Sequence, residues 1–172
     1  MSVMTPTIVV SGASGLLGSA LGPVLTTAGW RVRPLVRRTP GPGEIRWDPA
    51  ASTIDTSALA GVSAAVHLAG ESIADGRWTP ARKARIRSSR ILGTRLLSES
   101  LARLPVRPEV LVSASAVGIY GDRGDELLDE NSPLGTDFLA EVGKEWEGAT
   151  APASDAGIRV VHLRFGIILS KE

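Results

Sequence analysis

The stretch Thr7-Ile8-Val9-Val10-Ser11-Gly12-Ala13-Ser14-Gly15-Leu16-Leu17-Gly18 ends an apolar run in glycines spaced three apart. Such a stretch reads as a β-strand that turns sharply into a helix whose first turn is shaped for a phosphate. Gly12 permits the tight turn, Gly15 lets the backbone approach a pyrophosphate, and Gly18 lets the helix pack against the strand. The free N–H groups and positive dipole end of that helix then face the anion. The surroundings fit, because a strand precedes the glycines and an apolar helical stretch (Leu16, Leu17, Leu21, Val24, Leu25) follows as far as Gly29. The turn reads as a nucleotide site.

Composition agrees with a single globular domain. The 172 residues are 43% hydrophobic and 22% charged, which supplies a real core. A net charge of +1 argues against a general nucleic-acid binder, which needs a clear basic excess. The chain has no cysteine, so disulfides, thiolate metal sites and thiol catalysis are excluded. No His and carboxylate spacing suits a metal, and none is expected. The N-terminus leads straight into the first strand, so no signal peptide is expected, and no apolar run approaches membrane-spanning length. A cytoplasmic location with no membrane partner is expected.

Strand-like and helix-like segments alternate along the chain. Trp30 to Val36 reads as a second strand and Ala64 to Leu68 as a third, with the Pro/Gly-rich stretch Thr39 to Pro49 between them as a loop. A long helix follows Pro80 and runs to about Leu104, where Pro105 and Pro108 close it. Val110 to Ser113 is a further strand, Gly135 to Ala151 a helix, and Arg159 to Leu163 a final strand. Strands joined through helices imply a mainly parallel sheet covered on both faces. The fold class is therefore α/β, a doubly wound parallel sheet of the Rossmann type. The chain stops at Ser170-Lys171-Glu172 just after a strand, an unusual end for a complete protein.

The choice of dinucleotide is read at the end of the second strand, where an acid favours NAD and an arginine favours NADP. Here the strand runs into Val36-Arg37-Arg38 with no acid beside it. Two guanidinium groups suit a ribose 2′-phosphate through charge-assisted, bidentate contacts. The same pair also reads as two solvated loop arginines. NADP is expected over NAD.

Several further segments resemble one family. Ser11-Gly12 through Gly18 looks like the cofactor motif of the extended short-chain dehydrogenase/reductase superfamily. Trp47-Asp48-Pro49, Leu68-Ala69-Gly70-Glu71-Ser72-Ile73, Ser89-Arg90-Ile91-Leu92-Gly93-Thr94, Ser113 through Gly121, Asp137-Phe138-Leu139 and Trp146-Glu147 are together similar to its atypical epimerase family proteins, or sugar-nucleotide epimerases. The resemblance covers essentially all of the chain. It implies that residues 1–172 are a dinucleotide-binding domain, with a C-terminal substrate-binding part lying beyond them. It also implies a cofactor shell. Gly12, Ser14, Gly15, Leu16, Leu17 and Gly18 match the pyrophosphate loop, and Arg37 and Arg38 the ribose phosphate. Asp48 matches an acid near the adenine amine, though it reads equally as a turn cap before Pro49. Leu68, Ala69 and Gly70 match residues along the ribose and pyrophosphate, and Arg90 stands where many members have an asparagine near the nicotinamide.

The family's acid–base machinery is a serine with a Tyr-x-x-x-Lys pair one helical turn apart, whose lysine brings the tyrosine toward working pH. Ser115 matches the serine, but Phe138 stands at the tyrosine position and Val142 at the lysine position. Neither moves a proton. Tyr120, the one tyrosine, and Glu71, directly after the cofactor-lining glycine, are the substitute candidates. By the same resemblance Tyr120 also reads as a structural or substrate-lining residue, and Glu71 also reads as a cap or loop carboxylate. Lys144 falls on another helix face, and His67 and His162 read as core or edge histidines. The run Arg77, Arg82, Lys83, Arg85, Arg87, Arg90, Arg95 meets no acid before Glu99, and reads as a solvated face or a phosphate cluster. Two functions follow: an NADP-dependent oxidoreductase or epimerase of a small-molecule substrate, or an NADP-binding module without turnover. By resemblance, the long helices pair two copies in a homodimer.

Overall fold

A computed structural model describes residues 5–74 and 76–169, and the terminal Ser170-Lys171-Glu172 lie outside them. The elements are β1 (Thr7–Ser11), α1 (Leu16–Thr27), β2 (Arg31–Val36), β3 (Ile45–Asp48), β4 (Thr53–Ile54), β5 (Ala64–His67), α2 (Pro80–Ala102), β6 (Val110–Ala116), α3 (Phe138–Gly148), α4 (Ala151–Asp155) and β7 (Arg159–Phe165). Seven strands form one sheet in the order β4-β3-β2-β1-β5-β6-β7. All pairs are parallel except β3 with β4. The chain winds outward from β1 in both directions, so the order reverses between β1 and β5. In open α/β sheets ligands lie in the crevice beyond the carboxyl ends of the strands at such a reversal.

Alternation along β1 divides the core. Val9 faces a cluster with Leu35, Trp47, Leu97, Leu101 and Leu111. Ile8 and Val10 face the other layer, with Ala64, Val66 and the α1 residues Leu21 and Leu25. Central strands buried on both faces are what a doubly wound sheet requires. Helix ends follow local chemistry. Thr79 accepts from the Arg82 N–H at 3.3 Å and caps α2, with Pro80 at its first position. Asp137 accepts from the Ala140 N–H at 2.8 Å and caps α3.

The structure corrects several boundaries. Thr39 to Pro49 is not all loop, because Ile45-Arg46-Trp47-Asp48 forms β3 with Ile45 and Trp47 turned into the core at 1% and 3% exposure. The prolines and glycines before it punctuate the loop, and a four-residue strand is too short to show a period against them. Strands β6 and β7 run on to Ala116 and Phe165, since Ala114, Ser115 and Ala116 pair in register with Leu163, Arg164 and Phe165. Pairing overrides the weak strand preference of alanine and serine. The helix expected over Gly135 to Ala151 starts later, at its Asp137 cap, and breaks after Gly148 into the short α4. At the ends of β2 and β5, Trp30 and Leu68 lie just outside the strands.

His67 is fully buried, as a core histidine. Its Nδ1 lies 2.6 Å from the Ser11 hydroxyl, which itself accepts from the Leu68 and Ala69 N–H groups. With those two donors pointing at its oxygen, Ser11 gives its proton to Nδ1 and fixes the Nε2–H tautomer. Burial lowers the His67 pKa to about 4. The folded chain therefore keeps His67 neutral where the unfolded chain already takes up a proton. Between pH about 4 and 6.5 the unfolded state binds more protons, so stability rises with pH across that window. The full effect is about 3 kcal/mol. Urea midpoints measured from pH 7 down to 4.5 should fall, and His67→Gln should flatten that slope.

Candidate functional site

The crevice between β1 and β5 is built by clearances that admit no side chain. Gly12 turns with φ +69°, and a Cβ there would sit 2.8 Å from the Leu68 carbonyl carbon and 2.9 Å from the Ala69 nitrogen. A Cβ on Gly18 would overlap the Gly12 carbonyl and lie 2.6 Å from Ala13 Cα. The Gly15 N–H bonds to the Gly12 carbonyl at 3.0 Å and closes the turn. Gly15 then caps α1 with no side chain satisfying the helix, and no acid stands in the first turn. The first intrahelical bond is made by the Ser19 N–H to the Gly15 carbonyl. Helix geometry leaves the N–H groups of Leu16, Leu17 and Gly18 without intrahelical partners. Ser14, Gly15 and Leu16 are exposed around this end. Such an end fits a pyrophosphate.

On the far side of β1, Arg37 and Arg38 leave β2 into solvent, but an acid does stand beside them. Arg38 donates from both terminal nitrogens to Glu44, at 2.6 and 2.5 Å. Each group's charge is favoured chiefly by the hydrogen bond to the other, so the Arg38 pKa rises and the Glu44 pKa falls. Asp48 takes the turn-capping role, its Oδ1 accepting from the Ala50 and Ala51 N–H groups at 3.1 and 3.3 Å.

The opposite wall is Leu68-Ala69-Gly70, held back by Arg90. The Arg90 side chain donates to the carbonyls of Glu71 and Ile86 and lies 5.0 Å over the Trp146 ring. A Cβ on Gly70 would lie 3.4 Å from the Arg90 guanidinium carbon. Burial lowers the Arg90 pKa, and Glu71 partly offsets it. Glu71 is a committed loop carboxylate: Arg85 lies 3.2 Å from it and Arg82 3.9 Å. The basic run on α2 is therefore opposed after all, by Glu71 and, through Arg87, by Glu145. Lys144 is half-buried and pairs with Glu141 at 2.8 Å, while Lys83 lies 5.0 Å over the Phe138 ring.

On α3, Phe138 packs edge-on against Trp78, and Val142 is buried at 3% exposure. In their place the structure assembles a polar chain. The Ser115 hydroxyl donates to Glu147 at 2.6 Å, and Arg164 donates to the same carboxylate from two nitrogens at 2.8 and 2.9 Å. The Nη1 of Arg164 also donates to the Tyr120 hydroxyl at 2.7 Å. His162 completes the group, with Nδ1 3.8 Å from Glu147 and Nε2 3.0 Å from the Thr150 hydroxyl. Burial works against the charge on Glu147, but the hydrogen bonds from Arg164 and Ser115 win and hold its carboxyl below the usual range. A shallow cavity of about 380 Å³ opens beside Tyr120, lined by Gly121, Arg123, Gly135 and Asp137. Sequence reasoning gave no role to Glu147 or Arg164. The signal was the alternation His162, Arg164 along β7, which repeats Ser113, Ser115 on β6.

Residues 8–139 match the NAD dependent epimerase/dehydratase family. The chain belongs to that family. An epimerase family protein of Mycobacterium leprae is 41% identical over 166 residues, covering 96% of this chain and 53% of that protein. The structure of human epimerase family protein SDR39U1 with NADPH is 32% identical, with TM-score 0.85, covering 96% of this chain and 55% of that one. The nucleoside-diphosphate sugar epimerase of Corynebacterium glutamicum is 45% identical with TM-score 0.84, covering 97% of this chain and 35% of that one. The chain spans about half the length of the curated relatives it matches. Among the described residues no helix is long and apolar enough to cross a membrane, and no cluster of three His, Asp or Glu could hold a metal.

Two substitutions test this geometry. Gly18→Ala forces the helix off the turn and should lower the melting temperature and open the crevice together. Glu147→Ala leaves the Arg164 guanidinium, 20% exposed, without its carboxylate. The expected cost is about 2 kcal/mol, or roughly 4–8 °C in Tm by calorimetry.

Proposed function

We propose that this chain is the dinucleotide-binding part of an NADP(H)-dependent oxidoreductase or epimerase acting on a small molecule, with sugar nucleotides the favoured class. The uncapped N-terminus of α1, set over a side-chain-free turn at the reversal between β1 and β5, carries the reading. The NADPH in the human relative and the sugar-nucleotide name of the Corynebacterium protein support it. In this reading Gly12 to Gly18 hold the pyrophosphate, Leu68 to Gly70 line it, and Arg37 with Arg38 bind the ribose phosphate. Arg90 keeps the Gly70 loop in place. When bound, the nicotinamide supplies hydride chemistry. Tyr120 is the better proton donor of the two candidates, because its hydroxyl accepts from Arg164 and keeps its own proton to give. Glu71 is already engaged by two arginines. Ser115 is a positioning residue, since its proton is committed to Glu147.

The second reading, binding without turnover, draws on Phe138 and Val142, which leave no acid–base pair on α3. Two assays separate them: NADPH oxidation over simple carbonyls reads reduction, and interconversion of nucleotide-sugar epimers with NADP reads epimerisation, in which the hydride returns to the substrate and no net cofactor oxidation occurs. Turnover in either assay that Tyr120→Phe removes supports the enzyme; cofactor binding with turnover in neither supports the binding module.

Binding itself is tested by calorimetric titration with NADPH and NADH side by side. Gly15→Asp should abolish binding of both, because a carboxylate meets the pyrophosphate. Its Cβ meets only the Gly12 carbonyl, at 3.3 Å, so the variant should fold. Arg37→Ala with Arg38→Ala should weaken NADPH about tenfold more than NADH, the scale of a charge-assisted contact. Equal losses would remove the arginines from phosphate recognition.

A further inference from the structure

Both alternatives of dinucleotide recognition meet at the carboxyl end of β2. An arginine there favours a 2′-phosphate, and an acid favours free ribose hydroxyls. This chain holds one of each, already bonded together.

The two partners are not equivalent. Glu44 belongs to its loop: its N–H bonds to the Gly41 carbonyl at 3.1 Å, and its Oε2 accepts the Gly41 N–H at 2.7 Å. Its side chain is 18% exposed, against 65% for Arg38. The carboxylate is anchored by backbone and the arginine comes to it. Once there, Arg38 has both terminal nitrogens engaged, one of them also with the Thr39 carbonyl at 3.0 Å. Arg37 remains exposed beside the pair. A 2′-phosphate arriving here meets Arg37 together with an arginine whose charge is already answered. It also meets a fixed negative group that repels it. A ribose without that phosphate meets no such repulsion. An exposed ion pair is worth little, so Arg38 can be drawn away from it.

We propose that Glu44 is a specificity determinant of the cofactor site, a latch that holds Arg38 and restrains the preference for a 2′-phosphorylated dinucleotide. The inference rests on the dinucleotide reading of the crevice. It makes the NADP preference a balance between Arg37, Arg38 and Glu44 rather than the property of an arginine pair.

Glu44→Gln tests it. The amide oxygen still accepts from Gly41, so the loop keeps its shape while the charge is lost. Calorimetric titration of the chain with NADPH and NADH at one fixed salt concentration reads the ratio of affinities. The ratio should move toward NADPH by about threefold, the scale of an exposed ion pair. An unchanged ratio, or one that moves toward NADH, overturns the latch. Arg38→Gln combined with Glu44→Gln shows whether the effect runs through the pair: the gain should shrink once Arg38 is gone. A full gain without Arg38 overturns the latch and leaves plain repulsion. Glu44→Ala, which removes the same charge at a different shape, should move the ratio in the same direction and serves if the glutamine variant melts early. Wild-type protein that binds neither dinucleotide removes the crevice reading, and the latch with it. Wild-type binding with an unmoved ratio removes the latch alone.

Discussion

The fold hangs on a clearance. The turn after β1 and the exit from β5 pass so close that Gly12 has no room for a Cβ, and Gly18 presses its helix onto the same turn. Everything near the crevice takes its position from that approach. The Ser11 hydroxyl reaches across it to hold His67 and the Leu68 and Ala69 amides. The row Ser11, His67, Ser113, His162 then continues across four neighbouring strands in register. A polar row so deep in a sheet survives because most of its members find partners. His67 Nε2 is the exception, buried with none among the described residues.

Charge is distributed unevenly around this frame. The helix end facing the crevice is left bare, whereas the arginines around it are mostly occupied: Arg38 with Glu44, Arg85 with Glu71, Arg87 with Glu145, Arg164 with Glu147. The positive potential of the site therefore comes from backbone amides and from the few cations whose partners are weak. Arg90, bonded only to carbonyls and lying over an indole, is the clearest of these. Where the family pattern would place a tyrosine and a lysine on α3, apolar packing takes over, and the polar groups gather around Glu147 near the end of the same helix.

What could be read from the chain and what could not divide along physical lines. The glycine turn is legible because a missing Cβ is a demand on single residues, visible without knowing what they approach. The strand–helix alternation is legible because burial of central strands imposes long apolar runs. β3 is hidden by its four-residue length beside prolines and glycines. Glu44 lies six residues from Arg38 and meets it only because the loop turns back, so the end of β2 looked free of acid. Glu147 on α3 and Arg164 on β7 are 17 residues apart and meet only in the folded chain; the polar alternation along β7 marks Arg164, but no local pattern names its partner. Phe138 and Val142, by contrast, were readable at once, since what they lack is evident in their side chains.

The position of Arg90 also gives the protein an optical readout. Its guanidinium lies over the Trp146 indole while its other side supports the Gly70 loop. A cation held on one face of an indole shifts the energy of the excited state, whose charge distribution differs from that of the ground state. Any event that moves the loop moves that charge, and the emission of a buried tryptophan changes with it. Trp78, packed on Phe138 at the other end of the site, answers to a different part of the surface. Trp146 and Trp78 are two of the chain's four tryptophans, one beside the Gly70 loop and one beside Phe138, so replacing either with phenylalanine separates its emission from that of the rest.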